Sequence, residues 1–160
     1  NIINKKTTPQ IVSLGVARTF QNIRLFKNLS VLDNVKLALN NSMSYSTFSA
    51  IFRLKKFWSE EKSITDKALD LLNIFDMAEM ANIVSGNLSY GQQRKLEIAR
   101  ALATSPKLLL LDEPAAGMNP NETRELMNTI SFIRKEFNIS ILLIEPLLNI
   151  ISIYVSNSGF

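Results

Sequence analysis

The chain has 160 residues, a formal net charge of +4, no cysteine and no histidine. An apolar share of 46% with 20% charged residues belongs to a globular chain of one domain, or one domain with a sub-domain, and not to a disordered tail. The missing cysteine excludes a disulfide framework and a thiolate metal site, the missing histidine removes the commonest general base and metal ligand, and four surplus charges are too few to argue for nucleic acid or a membrane face.

In chain order, "LGVARTFQ", 14–21, reads as a strand ending near Gln21. Ser30 then reads as the N-cap of a helix in "VLDNVKLALNN", with Asp33 in its first turn. Residues 42–58 have no clean periodicity, and a loop or short helix is expected there. In "EEKSITDKALDLLNIFDM", Ala68, Leu71, Leu72 and Phe75 fall at i, i+3, i+4 and i+7, one face of a helix. After a turn around Gly86, a helix runs to about Ala103 with Leu96, Ala99 and Ala103 as its apolar stripe. "KLLLLDEP", 107–114, reads as a short strand buried on both faces. "NETRELMNTISFIRKEF" is a helix with Leu126, Ile130, Ile133 and Phe137 on one side, and "ISILLIE" is another buried strand. Strand, helix and strand in succession predict a parallel α/β sheet. The run "ISILLIEPLLNIISIYV", 139–155, is just short of a membrane span and is interrupted by Glu145, Pro146 and Asn149. It predicts two buried strands around a turn. The whole is an α/β core carrying a helical sub-domain.

Two stretches have residue types that chemistry uses. In "LSYGQ", 88–92, Ser89 and Gln92 have the spacing of a capping box, while the helix mouth, with Gly91 admitting close backbone approach, suits an anion. Gly86 and Gly91 also have the spacing of a phosphate loop, but Gln92-Gln93 stand where Lys-Ser/Thr would have to be, and G-x-x-x-x-G-K-[ST] occurs nowhere in the chain. In "LLLLDEP", a carboxylate pair ends a buried strand, where α/β proteins bind ligands. Asp112 suits Mg²⁺, which takes one or two carboxylates plus phosphate oxygens, and Glu113 suits a general base for water. The plainer reading of the pair is two solvated acids at a strand end.

The two stretches together, about twenty residues apart, resemble the ATP-binding-cassette (ABC) ATPases, and two more segments share the pattern. "RTFQ" is similar to that family's glutamine loop and "AAGMNP", 115–120, to its D-loop, with Asn119 where many members have Asp. "GVARTFQNIRLFKNLSVLDNV", "LSYGQQRKLEIARAL" and "LLLLDEPAAGMNP" resemble the ATP-binding subunits of branched-chain amino-acid importers in particular. The resemblance implies an α/β, partial P-loop NTPase core and a division into a core remnant with the glutamine loop (1–29), a helical sub-domain with the signature (30–105) and a core part with the Walker B strand and D-loop (106–160). It implies ATP and Mg²⁺ as cofactors. Asp112 and Gln21 would meet the metal, Glu113 would be catalytic, and Gln21, Leu88, Ser89, Tyr90, Gly91, Gln92 and Asn119 would lie at ATP. It also implies a second ABC ATPase subunit whose ATP this signature helix covers, transmembrane permease partners met in part through residues 22–35, no nucleic acid, and a peripheral place on the cytoplasmic face of the cell membrane.

The family's lysine loop and adenine-stacking aromatic are expected upstream of Gln21, so the chain reads as N-terminally truncated. Pro146 stands where the family's switch histidine is expected, and proline has no side-chain donor. These departures carry the alternative expectation of a catalytically incompetent or partner-binding remnant. Chromosome-maintenance and DNA-repair ATPases share the signature but need long coiled coils, and no sustained heptads occur here.

Overall fold

The computed structural model describes residues 6–19, 22–40, 55–145 and 150–154. The chain divides into two compact units, one of residues 1–24 with 105–160, the other of residues 25–104.

The first unit holds a four-stranded sheet in the order β1 (Val16–Arg18), β2 (Leu108–Asp112), β3 (Ser140–Glu145), β4 (Ile150–Tyr154). The first three strands are parallel, and β4 pairs antiparallel with β3. The expected strand–helix–strand succession is therefore present, with α5 (Pro120–Glu136) between β2 and β3. The apolar run near the C-terminus is two strands, as expected, and among the described residues no helix is long and apolar enough to cross a membrane. Register sets Ala17 beside Leu109 and Leu109 beside Ile141, and all three are buried. Leu111 and Leu143 continue that face one pleat further on.

Three expectations need correcting here. The strand read over 14–21 covers only Val16–Arg18 among the described residues, because Gly15 turns the chain at φ +86° and a helix, α1 (Thr8–Ser13), precedes it. Phe20 and Gln21 lie outside the described residues. The strand of four leucines is not buried on both faces: Leu109 and Leu111 are buried, but Leu108 and Leu110 are only half-buried, since alternate side chains point to opposite faces and the described residues cover one face better. On β3, Ile144 is likewise exposed.

Helix α5 starts as its sequence dictates. Asn119 caps it, Pro120 takes the first helical position where no N–H is missed, and the Glu122 carboxylate accepts from the Asn119 N–H at 3.0 Å. Arg134 and Lys135 meet the negative end of the dipole. Leu126, Ile130 and Ile133 are buried as expected, whereas Phe137 is exposed because the helix ends at Glu136 and the next residue but one, Asn138, turns left-handed at φ +48°.

The second unit is helical. Helix α2 (Val31–Asn40) packs on both α3 (Lys55–Ile74) and α4 (Tyr90–Ala103), with two 3-10 turns, Ala78–Met80 and Ser85–Asn87, between the latter two. The Ser30 hydroxyl accepts from the Asp33 N–H at 3.0 Å, so the expected cap is in place. Helix α3 starts at Lys55, inside the stretch 42–58 where a loop or short helix is expected, and stops at Ile74 rather than Met77. Its end is a Schellman motif: the Met77 N–H donates to the Leu72 carbonyl at 2.9 Å and the Asp76 N–H to that of Asn73 at 3.1 Å, with Asp76 at φ +57°. Ala68, Leu71, Leu72 and Phe75 are buried, as the periodicity predicts. Lys36 and Glu61 form an ion pair between α2 and α3.

A buried amide fixes the segment ahead of α2. The Asn34 Oδ1 accepts from the Phe26 N–H at 3.1 Å, and its Nδ2 donates to the Phe26 carbonyl at 3.1 Å and to the Ser85 hydroxyl at 3.2 Å. Asn34→Leu keeps the volume but strips partners from the Phe26 peptide and from Ser85. It should cost about 1–3 kcal/mol, the usual penalty for a buried polar group left unpaired. A lower urea midpoint at unchanged slope checks this.

Candidate functional site

The described residues of the expected site fall into two groups, one in each unit. In the sheet unit, Asp112 is the last residue of β2, which lies between β1 and β3, so its carboxylate emerges at the carboxyl end of a central parallel strand. Arg18 meets it there: the Nη2 donates to Asp112 Oδ2 at 2.9 Å. The next residue, Glu113, leaves the strand direction abruptly. Its φ is +47°, a left-handed conformation that is costly for a residue with a Cβ, and its N–H donates to the Ile144 carbonyl at 2.9 Å. The two carboxylates are thus neighbours in sequence on backbones of different direction. Ala116 N–H to Glu113 carbonyl and Met118 N–H to Ala115 carbonyl bonds, both 3.1 Å, then curl the chain toward Asn119. The Asn119 Oδ1 accepts from the N–H groups of Asn121 and Glu122 at 3.0 and 2.9 Å, so its side chain serves as the cap of α5.

In the helical unit, Ser89 opens α4. Its Oγ accepts from the Gln92 N–H at 3.4 Å, and the Gln92 Oε1 accepts from the Ser89 N–H at 2.9 Å, which is the capping box read in the sequence. That hydroxyl accepts in the capping bond, so the bond does not use its own proton. Capping and anion contact are therefore compatible at Ser89. Leu88 and Gly91 are buried beneath the mouth while Ser89 and Tyr90 are exposed. The Gln93 Nε2 holds the Leu88 carbonyl at 2.9 Å, and Arg94, buried in the helix, reaches the Tyr90 hydroxyl at 3.5 Å. Gly86, the other glycine of the false phosphate-loop spacing, has a packing reason to be there: a Cβ on it would stand 3.0 Å from the Lys27 carbonyl oxygen, which accepts the Gly86 N–H.

Among the described residues no three carboxylates come together as a metal cage. The donor set that exists, one strand-end carboxylate with a second beside it, still fits a hard cation that takes most of its oxygens from phosphate and water. The Arg18 guanidinium lies on an Asp112 oxygen, which thus already accepts from a cationic group. Nothing in the sequence marked Arg18 for this part, because the pair depends on register between strands far apart in the chain. Gln21 lies outside the described residues.

Residues 2–116 match the sequence profile of the ABC transporter family. The chain belongs to this family. As an ABC protein it is 41% identical over 155 residues to the high-affinity branched-chain amino acid transport ATP-binding protein LivG of Escherichia coli K12, covering 94% of this chain and 61% of that one. It is 42% identical over 136 residues to the corresponding protein BraF of Pseudomonas aeruginosa, covering 85% and 53%. It is 30% identical over 155 residues to the probable LivG of Methanocaldococcus jannaschii, covering 97% and 59%. The chain therefore spans about three-fifths of the length of these relatives or less. Among solved structures it resembles an ATP-binding cassette of an ABC transporter in its ADP conformation, with a TM-score of 0.69 at 31% identity over 89% of this chain and 55% of that one. A nucleotide-free cassette gives 0.69 at 30% identity over 92% and 57%. The ABC ATPase fold, a P-loop NTPase-type α/β core with a helical part, is the fold expected from the sequence.

Proposed function

We propose that this chain supplies the signature helix, the metal carboxylate and the general base of an ATP-hydrolysing site in an importer of branched-chain amino acids. The observation that carries this is the Asp112–Glu113 pair at the end of a central parallel strand, in a chain 41% identical to LivG over 94% of its length.

In this reading Glu113 takes a proton from the attacking water, and its turn out of the strand aims it away from Asp112. Asp112 and Gln21 hold Mg²⁺, which when bound neutralises charge developing on the phosphate oxygens. Ser89, with its hydroxyl proton and the positive end of α4, faces the γ-phosphate held by a second ABC ATPase subunit, and Leu88, Tyr90, Gly91 and Gln92 shape that mouth. Asn119 orders the D-loop by capping α5 and contributes to the ATP site from there. The chain works peripherally, on the cytoplasmic face of the membrane, against permease subunits. Residues 22–35 contribute to that contact, and Phe26, 52% exposed on a segment pinned by Asn34, is the side chain best presented for it. The three sequence divisions, 1–29, 30–105 and 106–160, are its functional parts.

A remnant without turnover is the second reading, favoured by Pro146, which stands where the family's switch histidine is expected and has no side-chain donor. Uptake of labelled leucine, isoleucine and valine by cells producing the protein separates the two. Under the proposal, Ser89→Arg and Glu113→Gln each lower uptake to the level of cells without the protein. Full uptake in the Glu113→Gln cells would overturn it, and background uptake with the unaltered protein would favour the remnant.

A further inference from the structure

We propose that Arg18 is a positioning residue for Asp112, holding the carboxylate as an internal cation and yielding it when a divalent cation binds. This rests on the reading of Asp112 as the metal carboxylate.

The strand register makes the pairing a built feature. Arg18 sits opposite Leu110 in the parallel β1–β2 pair, and Asp112 is two residues further along β2. Residues two apart on a strand share a face and are about 6.5 Å apart along it. An arginine beside Leu110 is therefore on the face of Asp112 and has the length to reach it, as the 2.9 Å contact shows. A short side chain such as serine or valine at that position would not span the offset.

The two ends of the pair differ in burial. The Arg18 side chain is 53% exposed and that of Asp112 21%. The carboxylate is the fixed member, and the guanidinium is the one with solvent to move into. A half-exposed ion pair is weak and screened by salt. Arg18 thus orients the Asp112 oxygens and offsets their charge beside Glu113, yet holds them loosely enough to be displaced. A cation that takes Oδ2, the oxygen Arg18 holds, competes with the guanidinium for it, so Arg18 gives way as the metal site forms, and its charge lowers divalent affinity at Asp112. On leaving, a guanidinium carries the fork geometry that pairs with phosphate oxygens, which accompany the metal in this reading.

Titration of the full chain with Mn²⁺, followed by the electron-spin-resonance signal of the free ion, tests this without any turnover. R18Q should bind Mn²⁺ about 2–5-fold more tightly than the parent, the scale of a half-exposed ion pair. R18K keeps the charge and should stay near the parent value, which a merely structural role for the arginine would not require. D112N should abolish the gain when combined with R18Q. If the R18Q curve overlays the parent's, whether both bind or neither does, the stand-in role is wrong. If only D112N then weakens binding, the metal reading of Asp112 survives that failure. If the R18Q gain persists in R18Q/D112N, the metal sits elsewhere, and both the stand-in role and the reading of Asp112 fall.

Discussion

Glu97→Leu will destabilise the chain by about 3–5 kcal/mol, the usual cost of breaking a buried ion pair by removing one member. Arg94 and Glu97 lie one turn apart on α4, with Nη1 to Oε2 at 2.8 Å and side-chain exposures of 0% and 6%. Neither can be solvated in place, and their mutual attraction offsets part of the electrostatic energy lost on leaving water. Glu97 also faces a second guanidinium. Burial pushes the Arg100 pKa down, and the charge of Glu97 acts the other way. Without Glu97, two cations remain on one helix with no carboxylate between them. Replacing both members of the main pair, Arg94→Met with Glu97→Leu, should recover most of the loss, because two buried charges and their desolvation disappear together. Urea unfolding of the parent, the single and the double variant measures all three. A single variant within about 1 kcal/mol of the parent would mean that water reaches the pair.

The local features of this fold were legible because their causes are local. The cap at Ser30, the capping box Ser89–Gln92 and the stripe Ala68–Leu71–Leu72–Phe75 each need only residues within two helical turns. Helix α1 also has a local signal: Gln10 accepts from the Thr7 N–H at 2.9 Å, a capping spacing with proline in the first turn. The early stop of α3 was harder to see, because Asp76 takes the left-handed position where glycine is the usual signal. The exposure of Phe137 follows from where α5 ends, which its apolar period alone does not reveal. At the candidate sites, residue types located Asp112, Glu113 and Ser89, but the neighbours of the two carboxylates came from tertiary register. No periodicity links Arg18 to a carboxylate 94 positions away. The backbone turn at Glu113 is set by its bond to Ile144, on a strand reached only after a whole helix.

That turn makes Glu113 the residue at which chemistry and stability can be separated. With Glu113 as the proposed base, Glu113→Gln should lower phosphate release by the assembled ATPase roughly 10²–10⁴-fold, the usual loss when a general base is removed. The amide keeps the shape and the left-handed backbone, so folding stability should not change. Nucleotide binding should also persist, since Asp112 and the partner's signature helix are untouched, and the ATP-bound dimer should become long-lived on size exclusion. Glu113→Gly removes the same carboxylate but also the Cβ that makes φ +47° costly. It should lose turnover to a similar extent and yet gain about 1 kcal/mol in stability, the order of the left-handed penalty for a residue with a side chain. If the glutamine variant releases phosphate near the parent rate, Glu113 is not the base. If the glycine variant is no more stable than the parent, the backbone at 113 is not strained, and the carboxylate is not held there against the preference of its own main chain.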